Sequence, residues 1–105
     1  MIIQVNTDVG IQGSEALIEE VGSVVRGALE HLSRHITRVE VHLSDANSDA
    51  KSGPSDMRCL LEARPAGHQP VVVSHEASSV AEAVDGAADK LKRSLESLLG
   101  RLAQR

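Results

Sequence analysis

The fold is decided by residues 79–102, which read SVAEAVDGAADKLKRSLESLLGRL. Apolar residues recur there every three or four positions, which predicts a helix with one continuous apolar stripe. The stripe consists of Val80, Val84, Ala87, Ala88, Leu91, Leu95, Leu98 and Leu102. Basic side chains lie beside it at Lys90, Arg93, Arg101 and Arg105. We therefore expect this helix to cover a core with one face and to present positive charge next to it.

The residues before this helix predict a sheet and a first helix. Residues 2–5 are rich in β-branched side chains and end at turn-forming residues, which predicts a strand. Ser14 is a typical N-cap, and apolar residues over 17–36 follow helical spacing. Three later stretches alternate apolar and polar residues, as a half-buried strand does. They are 38–44, 57–64 and 70–77.

This order of elements predicts an α+β fold, β-α-β-β-β-α, with four strands in one mixed sheet. A right-handed crossover lays the first strand parallel to the second, and short connections make the last three strands an antiparallel meander. Both helices then pack on one face of the sheet. The other face is expected to be open to water or to a partner. It carries Arg38, Glu40, His42, Arg58, Glu62 and Arg64.

The composition limits the class of protein. A chain of 105 residues is expected to form a single domain over 1–105. It has no Phe, Tyr or Trp, so it lacks the stacking platforms of many single-strand nucleic-acid readers. Its only cysteine is Cys59, and it has neither a charged leader nor a long apolar run. We therefore expect a cytoplasmic protein that makes no use of a membrane.

The charges are segregated along the chain. Residues 1–89 carry six basic and fourteen acidic side chains, a net charge of −8, whereas residues 90–105 carry five basic side chains and one acidic, a net charge of +4. Two interpretations are open. Cations near a helix C-terminus favour the helix dipole without any partner. Alternatively, the basic end binds a negatively charged partner.

Other patterns that resemble reactive or metal-binding sites are incomplete. Residues 45–56 imitate a calcium-binding loop but lack the glycine of its sharp turn, so we expect a polar hairpin loop. His31 and His35 are four residues apart, but spacing suggests no third ligand. Cys59 with His75 lacks a nucleophile motif. We therefore expect no metal site, no cofactor, no small-molecule substrate and no enzymatic activity.

Several short strings, spread along nearly the whole chain, belong to a known pattern. They are Ser14-Glu15-Ala16-Leu17, Glu30-His31-Leu32, Val39-Glu40-Val41-His42-Leu43, and Ala83-Val84-Asp85-Gly86 followed by Asp89-Lys90-Leu91. With the element order, they resemble the short ribosome hibernation-promoting factor and ribosome-associated translation inhibitor family. The resemblance implies a fold like that of double-stranded-RNA-binding domains. It also implies binding to small-subunit rRNA and a block of the mRNA and tRNA path during stress.

The same resemblance implies that Lys90 and Arg93 contact rRNA. Cations along a helix flank bind phosphates without reading base sequence, so these positions suit such a role physically. The other expected contacts share a position on the second helix or on the open sheet face. The complete set is Lys90, Arg93, Arg101, Lys92, Arg38, Arg58, Arg64 and His42.

The chain departs from the family pattern at several positions. It has Glu96 and Ser97 where the family commonly has basic residues, and Ala81 where it commonly has an aromatic residue. These differences leave a second hypothesis open, because a fold does not fix a function. The chain is then a diverged paralogue, a protein-interaction module without ribosome binding, with homodimerisation through the open sheet face as one form of it.

Overall fold

The computed structural model describes residues 1–8, 11, 13–45 and 57–103. The first half of this part contains β1 (Ile2–Thr7), α1 (Glu15–Leu29), a 3-10 helix (Glu30–His35) and β2 (Ile36–Asp45). The second half contains β3 (Met57–Pro65), β4 (Val71–Ala77) and α2 (Val80–Ala103). The predicted α+β order of strands and helices is confirmed.

The four strands form one sheet in the order β1-β2-β3-β4. β1 is parallel to β2, with Ile3 opposite Val39, as predicted for strands joined through a helix. β2, β3 and β4 are antiparallel neighbours, with Val41 opposite Leu61 in the central pair. The mixed sheet predicted from the sequence is therefore confirmed.

The first helix is shorter than the apolar spacing predicts. Its start is as expected, because the Ser14 Oγ accepts a hydrogen bond of 3.1 Å from the backbone N–H of Leu17. Its end is at Leu29, where the chain tightens into the 3-10 helix. Leu32 still packs against the core from that helix, and buried Ile36 opens β2. Both keep the helical spacing in the sequence, and periodicity alone does not reveal the change of conformation.

The core lies between the two helices and one face of the sheet. α1 contributes Val21, Val25 and Leu29, and α2 contributes Ala83, Val84, Ala87, Ala88, Leu91 and Leu95. The sheet contributes Ile36, Val39, Val41, Leu43, Cys59, Leu61 and Ala63. Within the described ranges no polar or charged residue is buried, so this face of the sheet is held by apolar contacts. Both helices pack on one face, as predicted.

A close approach positions α2 over β4. Gly86 lies so near the imidazole of His75 that a Cβ atom built on Gly86 would be 2.1 Å from His75 Cδ2. No real Cβ atom tolerates such a contact. The missing side chain of Gly86 therefore lets the helix pack directly on the His75 ring.

Candidate nucleic-acid interface

The basic flank of α2, defined here as Lys90, Arg93 and Arg101, runs beside β4. With 3.6 residues per turn, these three positions fall on one stripe of the helix. The Lys90 Nζ donates a hydrogen bond of 2.9 Å to the backbone oxygen of Ser74 in β4, which fixes the side of the helix on which the stripe lies. All three side chains belong to exposed residues. The structure thus brings together three of the eight residues that the sequence analysis gives as expected rRNA contacts.

The two guanidinium groups of the basic flank are held by short local contacts. The Nη2 of Arg93 lies 2.5 Å from the Oδ2 of Asp89, four residues earlier, and 77% of the Arg93 side chain is exposed. The Nη1 of Arg101 donates a hydrogen bond of 2.7 Å to the Ser97 Oγ. An exposed ion pair and an exposed hydrogen bond to a hydroxyl each contribute little to stability. Both guanidinium groups are therefore available to a phosphate at small cost.

A hollow of about 460 Å³ lies between α2 and the start of β4. Its lining consists of Val71, Arg93, Ser94, Ser97, Leu98 and Arg101. Two guanidinium groups and two hydroxyls thus surround a small apolar floor. A guanidinium group binds phosphate oxygens in a bidentate manner through charge-assisted hydrogen bonds. The chemistry of the hollow suits one or two backbone phosphates of a nucleic acid.

Lys92 is not part of the basic flank. It is two residues from Lys90, which places it about 200° around the helix, on the side towards α1. It is also half-buried, whereas Lys90 and Arg93 are exposed. The structure therefore does not bring Lys92 together with the other basic residues of α2.

The basic residues of the open sheet face lie where the sequence predicts, but carboxylates neighbour them. The Arg38 Nε is 3.0 Å from the Oε2 of Glu40, and the His42 Nε2 is 3.6 Å from the Oε1 of the same residue. Arg38 also donates a hydrogen bond to the side-chain oxygen of Gln4. Glu40 thus lies between Arg38 and His42 along β2 and balances the charge of Arg38.

The next strand repeats this arrangement. The Arg64 Nη2 is 3.8 Å from the Oε2 of Glu62 on β3, and Arg58 stands opposite Glu76 of β4 in the strand register. The three arginines of this face therefore share it with three glutamates, which leaves no net positive charge there when His42 is neutral. The sheet face offers a phosphate backbone much less attraction than the basic flank of α2.

His31 contacts the carboxylate of Glu96, which is far from it in the sequence. Its Nε2 lies 2.8 Å from the Oε2 of Glu96, which joins the 3-10 helix to α2. Both side chains are about half exposed, at 49% and 43%. Among the residues that the structure describes, no three His, Cys, Asp or Glu side chains could hold a metal ion together. The calcium-like pattern after Asp45 lies in residues 46–56, outside the described residues.

Cys59 is a core residue with an inactive thiol. It is fully buried opposite His75, and burial raises the pKa of its thiol to about 12. A cysteine nucleophile needs the opposite change, a lowered pKa that supplies thiolate at neutral pH. The pairing of Cys59 with His75 therefore packs the core and does not generate a nucleophile.

We expect the thiol of Cys59 to react with a chromogenic disulfide reagent at pH 8 at least about 100-fold more slowly in the folded protein than in urea.

The raised pKa of the Cys59 thiol also predicts lower stability of the fold at alkaline pH. The unfolded thiol loses its proton from about pH 9, whereas the folded thiol keeps it up to about pH 12. Across that window, unfolding free energy should fall by about 1.4 kcal/mol per pH unit. Urea titrations that show the same alkaline slope for Cys59→Ala would contradict this assignment.

Comparisons with known proteins give a match to one family model and similarity to several solved structures. Residues 5–103 match the model of the family described as sigma 54 modulation protein / S30EA ribosomal protein. The structure is similar to that of the Thermus thermophilus Protein Y N-terminal domain, with a TM-score of 0.67 and 21% identity, covering 93% of this chain and 99% of that one. It is also similar to a ribosomal subunit interface protein from Coxiella burnetii, with a TM-score of 0.70 and 16% identity, covering 95% and 99%. None of the curated proteins compared matches the chain. Within the described residues, no helix is both long and apolar enough to cross a membrane.

Proposed function

The chain belongs to the family of sigma 54 modulation and S30EA ribosomal proteins, and from this we propose that it is a ribosome-associated hibernation factor. It binds rRNA of the small subunit in the cytoplasm and stops translation by occupying the path of mRNA and tRNA. The mechanism is steric, so it needs no cofactor and no turnover. Family membership confirms the resemblance found in the sequence, and the binding mode is our proposal.

The observation that carries this proposal is the basic flank of α2 with the hollow beside it. Arg93 and Arg101 line the hollow together with two serine hydroxyls. Phosphates neutralised there would release counterions, which gives affinity without base recognition. Lys90 contributes as the third cation, because its ammonium group has three N–H donors and uses one of them on the Ser74 oxygen. These three residues are the principal rRNA contacts that we propose.

The open sheet face has a secondary part in this proposal. Arg38 and Arg64 each neighbour a glutamate on their own strand, and His42 lies near Glu40. Contacts from them would require those carboxylates to be displaced or shared. Arg58 takes part in no ion pair within the described residues, so it is the best placed of the sheet residues. Lys92 contributes least, because it lies on the α1 side of α2.

Co-sedimentation with isolated small subunits at several salt concentrations tests the proposal. Three phosphate contacts predict that affinity falls roughly 20- to 40-fold between 50 and 200 mM salt. The bound fraction in the pellet measures this fall directly. Failure of the wild-type protein to co-sediment at 50 mM salt would overturn ribosome binding. Binding that does not change with salt would overturn the phosphate contacts.

The neutralised sheet face favours a second candidate function, a protein-interaction module without ribosome binding. Ile2 and Val72 are apolar residues of this face, with 61% and 55% of their surfaces exposed. Exposed apolar groups lose their contact with water when two proteins associate, and a face without net charge does not repel a second copy. A wild-type protein that stays in the supernatant at 50 mM salt and sediments as a dimer, which Val72→Lys returns to monomer, would establish this alternative.

A further inference from the structure

A groove of about 170 Å³ lies between the N-terminal halves of α1 and α2. Leu17 and Val24 of α1 line it on one side, and Val80 and Ala81 of α2 line it on the other. It lies on the helical layer, whereas the proposed rRNA contacts lie on the β4 side of α2 and on the open sheet face. A volume of this size admits an aliphatic side chain of a partner and excludes a folded domain.

Two carboxylates border this groove. Glu20 stands on α1 and Asp85 on α2, and both belong to exposed residues that line the groove. Neither takes part in an ion pair among the residues that the structure describes, in contrast to Glu40, Glu62 and Glu96. The groove thus combines an apolar floor with two carboxylates that have no counterion among the described residues.

The charge around the groove extends over the whole end of the helical layer. Residues 14–25 and 79–88 contain five carboxylates and no Lys, Arg or His. They are Glu15, Glu19, Glu20, Glu82 and Asp85. Such a one-signed surface attracts cations over a distance of about 10 Å at moderate salt and repels phosphate groups. A nucleic acid is therefore an unsuitable occupant for this groove.

We propose that the groove binds a basic segment of a partner protein. An aliphatic side chain of that segment inserts between α1 and α2, and its Lys or Arg side chains lie beside Glu20 and Asp85. The apolar insertion supplies affinity through burial, and the charge pairs select a cationic partner and orient it. This binding goes beyond the proposed contact with rRNA, since it uses the opposite side of α2 and the opposite charge.

A short fluorescein-labelled peptide of leucine and lysine is the probe, with binding to the full chain measured by fluorescence anisotropy. We expect saturable binding that weakens as salt rises. A peptide with serine in place of leucine keeps the charge and should bind roughly tenfold more weakly or worse, because no apolar group enters the groove. A leucine and glutamate peptide should not bind. Equal binding of the serine peptide would overturn the proposal.

Matched variants locate the binding at the groove. Glu20→Lys with Asp85→Lys should weaken the leucine and lysine peptide at least about tenfold. Glu15→Lys with Glu19→Lys changes the net charge by the same amount at the same end of the helical layer. This control should weaken binding of the leucine and lysine peptide less than about threefold. Ala81→Leu fills the groove without changing any charge and should also weaken the peptide about tenfold. Equal loss in both charge variants, or full binding by Ala81→Leu, would overturn the proposal.

Sedimentation velocity of the full chain separates a foreign segment from a second copy. The chain's own α2 carries basic and apolar residues at its C-terminal end, so a second copy is the competing occupant. We expect no self-association that depends on Glu20 and Asp85. Salt-sensitive oligomers that disappear in the Glu20→Lys, Asp85→Lys variant would assign the groove to a second copy and overturn the partner proposed here.

Discussion

Replacing Gly86 with alanine is expected to destabilise the protein by about 2 kcal/mol. This change normally stabilises a helix interior by about 0.5–1 kcal/mol. Here the new methyl group would be 2.1 Å from His75 Cδ2. Either α2 must lift off β4 or the imidazole must leave its place, and both cost packing next to Ala87 and Leu91 in the core. Thermal unfolding should move to a lower temperature by roughly 10 °C.

Two further variants separate this contact from a general effect of helix composition. Gly27→Ala lies in α1, where no described atom approaches a new Cβ within 4 Å, and should stabilise by about 0.5–1 kcal/mol. Gly86→Ala combined with His75→Ala should cost clearly less than the sum of the two single changes, because the methyl group then has room. A Gly86→Ala protein as stable as the wild type would contradict the close approach of α2 to His75.

Reversing two charges of the basic flank, Arg93→Glu with Arg101→Glu, is expected to weaken small-subunit binding about 100-fold or more. A charge-assisted hydrogen bond is worth about 1.5–3 kcal/mol, and two such contacts are lost. The corresponding change in affinity follows at tenfold per 1.4 kcal/mol. Removing two phosphate contacts should also reduce the salt dependence, by about two in the slope of log affinity against log salt. Co-sedimentation over a salt series measures both quantities.

The matched control carries the same change of net charge elsewhere. Arg26→Glu with Arg34→Glu alters α1 and the 3-10 helix, away from the hollow beside β4. The affinity of this variant for the small subunit should fall less than about fivefold, because only the overall electrostatic attraction of the protein to rRNA is weakened. If the two double variants lose affinity equally, the basic flank is not the contact surface. If neither double variant loses affinity, the proposal that α2 contacts phosphates is wrong.

Much of the fold follows from local patterns. The strands are visible because alternation and burial coincide in Val39, Val41 and Leu43, and α2 is visible because its apolar residues share one stripe. The end of α1 is not, because Leu32 and Ile36 satisfy helical spacing from a 3-10 helix and a strand. The spacing of apolar residues indicates which side chains reach the core. It does not identify the backbone conformation, because an α-helix, a 3-10 helix or a strand can place the same side chains there.

The candidate interface was predictable in part. The stripe of Lys90, Arg93 and Arg101 follows from helical geometry, and the same geometry indicates that Lys92 faces elsewhere. The ion pair of Arg38 with Glu40 also has a local signal, since residues two apart on a strand share a face. The contact of His31 with Glu96 and the groove between the helices have no such local signal in the sequence.

Contacts between distant elements depend on the tertiary fold. His31 and Glu96 are 65 residues apart in the sequence and meet only because α1 and α2 lie side by side. The groove between the helices likewise needs two separate acidic segments at the same end of the layer. Neither spacing nor composition specifies how two helices are placed relative to each other.

The hydrogen bond from Lys90 to Ser74 bears on how the protein avoids aggregation. β4 is an edge strand of the described sheet, and its first residues are three consecutive valines. Edges of this kind recruit strands from other molecules, and natural proteins often guard them with lysine. Here an ammonium group already occupies a β4 carbonyl oxygen. A strand that pairs with this edge from another copy would have to displace the ammonium group of Lys90 from that oxygen, which disfavours the pairing.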